Sequence, residues 1–432
     1  MYKIQIVGIP VTLPEGIIFM LLAAAFVKYK DVFKFDFKEF AQKNKVILIA
    51  VLLILLGAVL SFFVTQASIT LVDGQEFSSL RVALGIFKSW IVAPIIYFVL
   101  LKYVLNKDDL KKSLNVYALS AAVLSIWAVW QLATGNYVTV DMRASGPFIS
   151  ANYLALYLGP ALVFLTVKTK EVFLPSTFLE GKDAKKIPFL KKAAFKLSGK
   201  DIFYSVAFIV CLIAMIATKS YAALFAYVIA VSFYYFIEFV IHFKANKKAR
   251  LPWASIVSIL VIAIVAAIIV YYLDVEKWQS VFNFTERNSS SVRLEVYAIT
   301  WSLIKNNFLF GIGMGSFEAL YQTQAVNILE RAPLEWVMLH PHNFYFAMWL
   351  NLGILGLGGL GVIIYVAIKE LLAMIKKIAG GSFSQYSSVV LIGMAMFVAI
   401  LMHGLIDTPF FKNDLALIFW LVVAVFSVRE KV

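Results

Sequence analysis

Charge is scarce in this 432-residue chain: Asp, Glu, Lys and Arg together make 15% of it, against 62% hydrophobic residues and a mean hydropathy of +0.86. An ordinary soluble globule cannot be built from that ratio, because too little polar surface remains to cover it. There is a single cysteine, Cys211, so no intrachain disulfide can form, and its position inside an apolar stretch reads as inert packing. The chain has no internal repeat and no basic-aromatic repeat, so the excess of lysine and arginine does not call for a nucleic-acid partner. Met1–Pro10 holds one lysine and alternates weakly, so no cleavable signal peptide is expected.

Apolar runs long enough to cross a bilayer as helices are abundant. Hydropathy and loop composition divide them into eleven: Val11–Val27, Val46–Thr65, Val82–Leu101, Asn115–Thr134, Ala151–Val167, Ile202–Thr218, Ala222–Ile241, Ala254–Leu273, Asn343–Ile368, Ser387–Met402 and Leu415–Val428. The expectation is an all-α, polytopic integral membrane protein forming a single domain over residues 1–432. Of the 39 lysines and arginines, 28 fall in loops 28–45, 102–112, 168–200, 242–250 and 369–377 and at the C-terminus. Acidic residues divide nearly evenly, so these loops are read as cytoplasmic, with the N-terminus outside and the C-terminus inside. The lysine-rich stretch Lys168–Lys200 is expected to lie along lipid headgroups.

One connection stands apart. The external loop over residues 274–341 is far longer than an ordinary connection and is therefore expected to be functional. Ser289-Ser290-Ser291 can cap a helix, and Val292, Val296, Ile299 and Leu303 then recur at helical spacing, with Arg293, Tyr297 and Trp301 on another face. That helix should end near Asn306-Asn307. The glycines of Gly311-Ile-Gly313-Met-Gly315 make a turn, and Ser316 plausibly caps a second helix running to about Glu330. An amphipathic pair on the outer membrane surface is the natural reading.

The topology brings unusual residues to the outer face from four separate segments. Arg143 lies in a loop before the span opened by Asn152, Lys219 in the tight turn Thr218–Tyr221, and Arg293 and His342 near the two ends of the long loop. Taken singly, a lysine or arginine there reads as an interfacial anchor. Lys219 is less easily dismissed, since so short a turn usually takes small neutral residues.

Several of these segments resemble the O-antigen ligase family, membrane enzymes that move a glycan from a polyprenyl-diphosphate carrier onto an acceptor hydroxyl. The most specific is His342-Asn343 followed by Gly353-x-x-Gly356, and Arg293 through Gly315 looks like the family's external-loop signature. Arg143-x-x-Gly146-x-Phe148-x-x-x-Asn152 resembles its arginine loop, and Thr218–Ala223 its Ser-Arg-Gly-Ala turn, so the family-like core covers residues 143–407. The resemblance implies His342 as the catalytic base, with Arg293, Lys219 and Arg143 on the diphosphate and Asn343, Tyr221, His403 and Asp407 in support. Its chemistry is consistent: cations stabilise the departing diphosphate and a histidine near neutral pKa takes the acceptor's proton. It implies no metal and no cofactor, a lipid-linked glycan donor, a glycan, lipid or protein hydroxyl acceptor, and a bacterial cytoplasmic membrane with the site facing outward.

Two departures accompany the resemblance. The family's turn arginine would fall on Tyr221, with Lys219 the nearest cation, and lysine lacks the planar fork. The family typically has twelve spans, so an N-terminal helix would be missing here. Competing activities are polysaccharide polymerase and protein O-oligosaccharyltransferase within the family, and a flippase outside it. Transport is disfavoured because ionisable residues cluster at span ends rather than at the midplane. His340-Pro341-His342 with His403 and Asp407 is weak as a metal site, and His403 and Asp407, one helical turn apart, more plausibly bond each other or orient the site. The Gly311–Gly315 turn could hold an anion at a helix N-terminus, although it lacks the Gly-Lys-Ser/Thr ending of a nucleotide loop.

Overall fold

The computed structural model describes residues 3–6, 9–12, 37–104, 107–173, 198–245, 288–379 and 385–427. Two short antiparallel hairpins occur among them, β1 (Lys3–Ile6) with β2 (Ile9–Thr12) and β3 (Ile69–Thr70) with β4 (Glu76–Phe77). The regular structure is otherwise helical: α1 (Phe37–Val64), α2 (Ser79–Ile86), α3 (Ala93–Val104), α4 (Lys107–Thr134), α5 (Ala151–Phe173), α6 (Gly199–Ala217), α7 (Tyr221–Ala245), α8 (Ser289–Asn306), α9 (Phe317–Leu329), α10 (Phe344–Ala379), α11 (Gln385–His403) and α12 (Asn413–Phe426).

Among the described residues, seven helical stretches are long and apolar enough to cross a membrane: Lys38–Val64, Ser79–Lys102, Asp109–Thr134, Ala151–Val172, Gly199–Ala217, Tyr221–Ile241 and Phe344–Lys377. Each coincides with an expected span. Two more expected spans fall on the shorter apolar helices Ser387–His403 and Asp414–Phe426. Ala254–Leu273 lies outside the described residues, as does Val11–Val27 beyond the two residues that join β2. Residues 174–197 and 274–287 of the two long loops lie outside them as well. The Ser79–Lys102 span is one continuous helix with a wide turn at Phe87–Val92 between α2 and α3. Pro94 follows directly; lacking an N–H and crowding the carbonyl four residues back, proline favours such a widened turn.

The chain divides into two compact units. The first comprises Met1–Asn106, Ile264–Glu370 and Leu401–Val428. Its core includes Phe344, Phe410, Phe419 and Trp420, with Trp420 4.8 Å from Phe98 of α3 between ring centroids. Small residues let α1 and α10 approach closely: a Cβ on Gly57 would lie 2.5 Å from the Leu352 carbonyl oxygen. In lipid, where the solvent is as apolar as the side chains, such close packing supplies much of the association.

A break in α10 shapes this unit further. Gly353 has φ 64° and ψ −167°, which parts the Leu350 carbonyl from its helical partner, the Ile354 amide. Both are satisfied by the glycine turn: Ile312 N–H donates to the Leu350 oxygen at 2.9 Å, and Ile354 N–H to the Leu309 oxygen at 3.0 Å. Gly311, at φ 70°, makes the other half of the contact possible, since a Cβ there would stand 2.2 Å from the Leu350 oxygen. Gly353 of the Gly353-x-x-Gly356 motif thus interrupts the helix and lets a loop dock into the gap.

α8 and α9 match the expected helix pair. The cap of α8 sits one residue earlier than expected: Asn288 accepts from the Ser290 and Ser291 amides, and Ser291 Oγ accepts from the Asn288 amide in return. Val296, Ile299 and Leu303 are buried against Ile312, Phe317 and Tyr321. Ser316 precedes α9 but makes no side-chain cap bond.

The second unit comprises Lys107–Ala263, Leu371–Ile400 and Arg429–Val432. Within it α4, α5, α6 and α7 pack together, with polar contacts threaded between them. Tyr204 donates to Asn115 Oδ1 at 2.9 Å, Thr166 and Tyr227 hydroxyls meet at 2.7 Å, and Ser125 Oγ lies 3.3 Å from the buried Cys211 sulfur.

Candidate functional site

His342 occupies the turn that leads into α10. Pro341 fixes the backbone before it, and His342 itself adopts φ 48°, a left-handed conformation costly for any residue with a Cβ. The turn is held from two sides. Asn343 caps α10 by accepting from the Phe346 amide at 3.0 Å, while its Nδ2 donates to the Leu405 carbonyl at 3.0 Å. Phe344 N–H donates to the Gly404 carbonyl at 2.7 Å. The hydroxyl of Tyr297, on α8, lies 2.9 Å from the His342 carbonyl oxygen and 3.1 Å from that of Leu405, sharing its one proton between them.

These contacts set the turn after α11 against His342 and bring in Asp407. Its carboxylate is buried, with Oδ1 3.5 Å from His342 Nδ1, slightly longer than a well-formed hydrogen bond, and accepts from the Thr408 amide at 2.8 Å. Burial pushes the Asp407 pKa up, but the facing His342 ring, with His340 and His403 behind it, holds it below the usual carboxylate range. A buried carboxylate facing Nδ1 orients the ring and leaves Nε2 as the nitrogen that can take a substrate proton. The His342 side chain retains 22% of its exposure, so the ring is reachable.

His340 packs edge-on to His342 with ring centroids 4.4 Å apart. Burial first, and then the neighbouring His342, lower its pKa to about 4, so it is neutral near pH 7. His403 is buried at the end of α11, and its carbonyl accepts from the Asp407 amide at 3.0 Å. Their side chains do not bond each other; the carboxylate faces His342 instead, and His403 Nε2 has no hydrogen-bond partner among the described residues. Among the described residues, His340, His342 and Asp407 each offer one ligand atom, all within 4.8 Å of one another, and could share a cation.

Arg293 stands one helical turn before Tyr297 on α8 and donates from Nη1 to Ser289 Oγ at 2.7 Å, leaving the other guanidinium donors for a ligand. The Tyr297 hydroxyl is raised above its ordinary pKa chiefly by burial, with Arg293 opposing and Asp407 reinforcing the shift. The first unit therefore gathers Arg293, Tyr297, His340, His342, Asn343, His403 and Asp407. Farther along α8's packing partners, the Gly311, Ile312, Met314 and Gly315 amides of the glycine turn are consumed by protein. Met314 donates to Ser61 Oγ and Gly315 to Asn351 Oδ1, so the turn is a docking device and not an anion cradle.

The second unit gathers the remaining sequence candidates. Arg143 is heavily engaged: Nε donates to the Thr218 carbonyl at 2.6 Å, Nη2 to Asn152 Oδ1 at 2.8 Å, and Nη1 lies 3.2 Å from Asp141. It thereby braces the turn carrying Lys219, an exposed residue at φ 49°, while Tyr221 opens α7 half-buried.

Two positions escaped the sequence reading. Gln131 is buried near the end of α4; its Oε1 accepts from the Ser145 and Gly146 amides and its Nε2 donates to the Gly146 carbonyl, which fixes the arginine loop. Glu295 is buried on the apolar face of α8, paired with Arg331 and accepting from the Leu334 amide at 2.8 Å, so it ties down the approach to His340. The signal for both was available: a polar side chain at a position the apolar pattern assigns to the interior.

Residues 206–361 match the family model described as O-antigen ligase. The matched segment is 156 residues, a little over a third of the chain, and contains Lys219, Arg293 and His342. No curated protein matches the chain. The chain is O-antigen ligase-like over this segment, and the match implies glycan transfer of the ligase or polymerase type by a multi-pass membrane protein.

Proposed function

From the O-antigen ligase match as premise, we propose that this chain transfers a glycan from a polyprenyl-diphosphate carrier to an acceptor hydroxyl at the outer face of a bacterial cytoplasmic membrane. The observation that carries the reading is the His342–Asp407 pair, 3.5 Å apart, in a turn fixed by Tyr297 and Asn343. In the reaction the acceptor oxygen attacks the anomeric carbon, the bond from that carbon to the diphosphate oxygen breaks, and the carrier diphosphate leaves. His342 Nε2 takes the proton lost by the acceptor, while Asp407 holds the opposite nitrogen and stabilises the imidazolium. Arg293, beside this turn, meets the negative charge that grows on the diphosphate. A ligase-type acceptor is favoured by the histidine signature over addition to a growing polymer.

The test is reconstitution of purified protein with a lipid-diphosphate glycan and candidate acceptors, read by product mass. His342→Ala should insert and bind donor while single-turnover transfer falls by at least ~10²-fold, the low end for a lost general base. Near-normal turnover in that variant would remove His342 from the reaction.

A further inference from the structure

Beyond the histidine turn, the first unit holds a small, open-mouthed cavity of about 110 Å³, where β3 and the end of α1 face α8 and α9. Its polar lining comes from Gln66, Asn307, Ser316 and Gln324, and Leu303 and Ile312 supply apolar floor. No charged residue lines it. Ser316 Oγ is buried without a hydrogen-bond partner, and the Gln66 and Gln324 amides bond no other described residue. Asn307 spends its Nδ2 on the Leu303 carbonyl, which leaves its Oδ1 as an acceptor.

We infer that this cavity is a binding subsite for a neutral sugar unit of the glycan. Amides and a hydroxyl are donors and acceptors together, which matches sugar hydroxyls, and the Leu303 and Ile312 side chains suit the C–H face of a ring. Lack of positive charge argues against phosphate or a carrier diphosphate. A single rigid element sets the spacing: α8 carries Tyr297 at the histidine turn and Leu303 at the cavity, with Asn307 just past its end. At helical rise those positions lie about 9 to 15 Å along from Tyr297, the reach of a short oligosaccharide. As a place for a sugar remote from the reacting carbon, the assignment rests on the proposed glycan transfer.

The experiment is equilibrium binding of labelled neutral tri- and tetrasaccharides, of hexose and N-acetylhexosamine composition, to the purified full chain. The Gln66→Ala/Gln324→Ala double variant serves as the comparison, both positions being at the rim. At least one oligosaccharide should bind wild-type protein, the double variant should bind it about 10-fold or more weakly, and inorganic phosphate should not compete. Absence of binding to any of them, equal affinity in the double variant, or displacement by phosphate each overturns the subsite. Wild-type protein that binds the oligosaccharide yet yields no transfer product would leave the subsite standing and remove the transferase reading.

Discussion

The hydroxyl of Tyr297 bonds the backbone of His342, at 2.9 Å from its carbonyl oxygen, and so fixes where the histidine stands without touching its ring. The same hydroxyl reaches Leu405, two residues from Asp407. One side chain on α8 thus joins the base-bearing turn to the carboxylate-bearing turn. Tyr297→Phe deletes that bond and keeps the ring against Phe346. Turnover should fall about fivefold to tenfold, equivalent to roughly 1 kcal/mol, with donor KM little changed. Steady-state kinetics in the reconstituted system decides; an unaltered kcat would make the bond incidental.

The docking of the glycine turn into α10 gives a stability prediction. Gly353→Ala places a Cβ 2.4 Å from the Leu309 oxygen at φ 64°, and Gly311→Ala meets the Leu350 oxygen. Left-handed strain and the backbone clash together should cost about 2–5 kcal/mol in either variant. Gly358 in the same helix has nothing within 4 Å of its missing Cβ, and Gly358→Ala should be neutral or mildly stabilising. Thermal denaturation in detergent separates the cases: the first two variants should lose Tm and the third should not.

The comparison of sequence with structure turns on how far apart the partners lie in the chain. α8 was legible because its cap and its Val296, Ile299, Leu303 spacing are local, and the structure differs there by one residue at the cap. Gly353 is legible as part of its motif, but the break it makes in α10 is not. Its role depends on Leu309 and Ile312, which only tertiary folding brings near. Helical spacing sets Asp407 one turn from His403, either to bond it or to orient the site, and α11 ends at His403. Past that end the Asp407 amide still bonds the His403 carbonyl, but the carboxylate faces His342 and not the His403 ring. Local periodicity wrote the helices; the site is assembled by non-local bonds that no period records.

Acid should weaken the first unit in two stages. His340 has a folded pKa of about 4, below the 6.5 of the free side chain, so the unfolded chain binds its proton first. Its contribution is intact above about pH 6.5 and is lost as pH falls toward 4. Asp407, held below its ordinary 3.8, contributes above that value and loses its contribution as pH falls further. His340→Gln should shrink the upper stage. Melting curves of wild type and variant from pH 8 to 4 would test this, and parallel profiles would show that His340 does not titrate with unfolding.

Arg293 tests how the departing charge is met. Its anchoring to Ser289 uses one guanidinium nitrogen, which pre-orients the fork at little further entropic cost when a diphosphate arrives. Arg293→Ala should therefore lower kcat/KM for the lipid diphosphate by about 10- to 100-fold, the loss of one charge-assisted contact of about 1.5–3 kcal/mol. Arg293→Lys should recover part of it, because lysine returns the charge without the bidentate geometry. If guanidinium and ammonium groups carry this work, a chelator should leave wild-type transfer unchanged. The alternative has named residues: His340, His342 and Asp407 lie close enough to share a cation. A strict metal requirement in wild type, with Arg293→Ala at normal donor kinetics, would move the charge stabilisation from Arg293 to that cation. It would also take His342 out of the base role, since a histidine bound to metal has no lone pair free for the acceptor's proton.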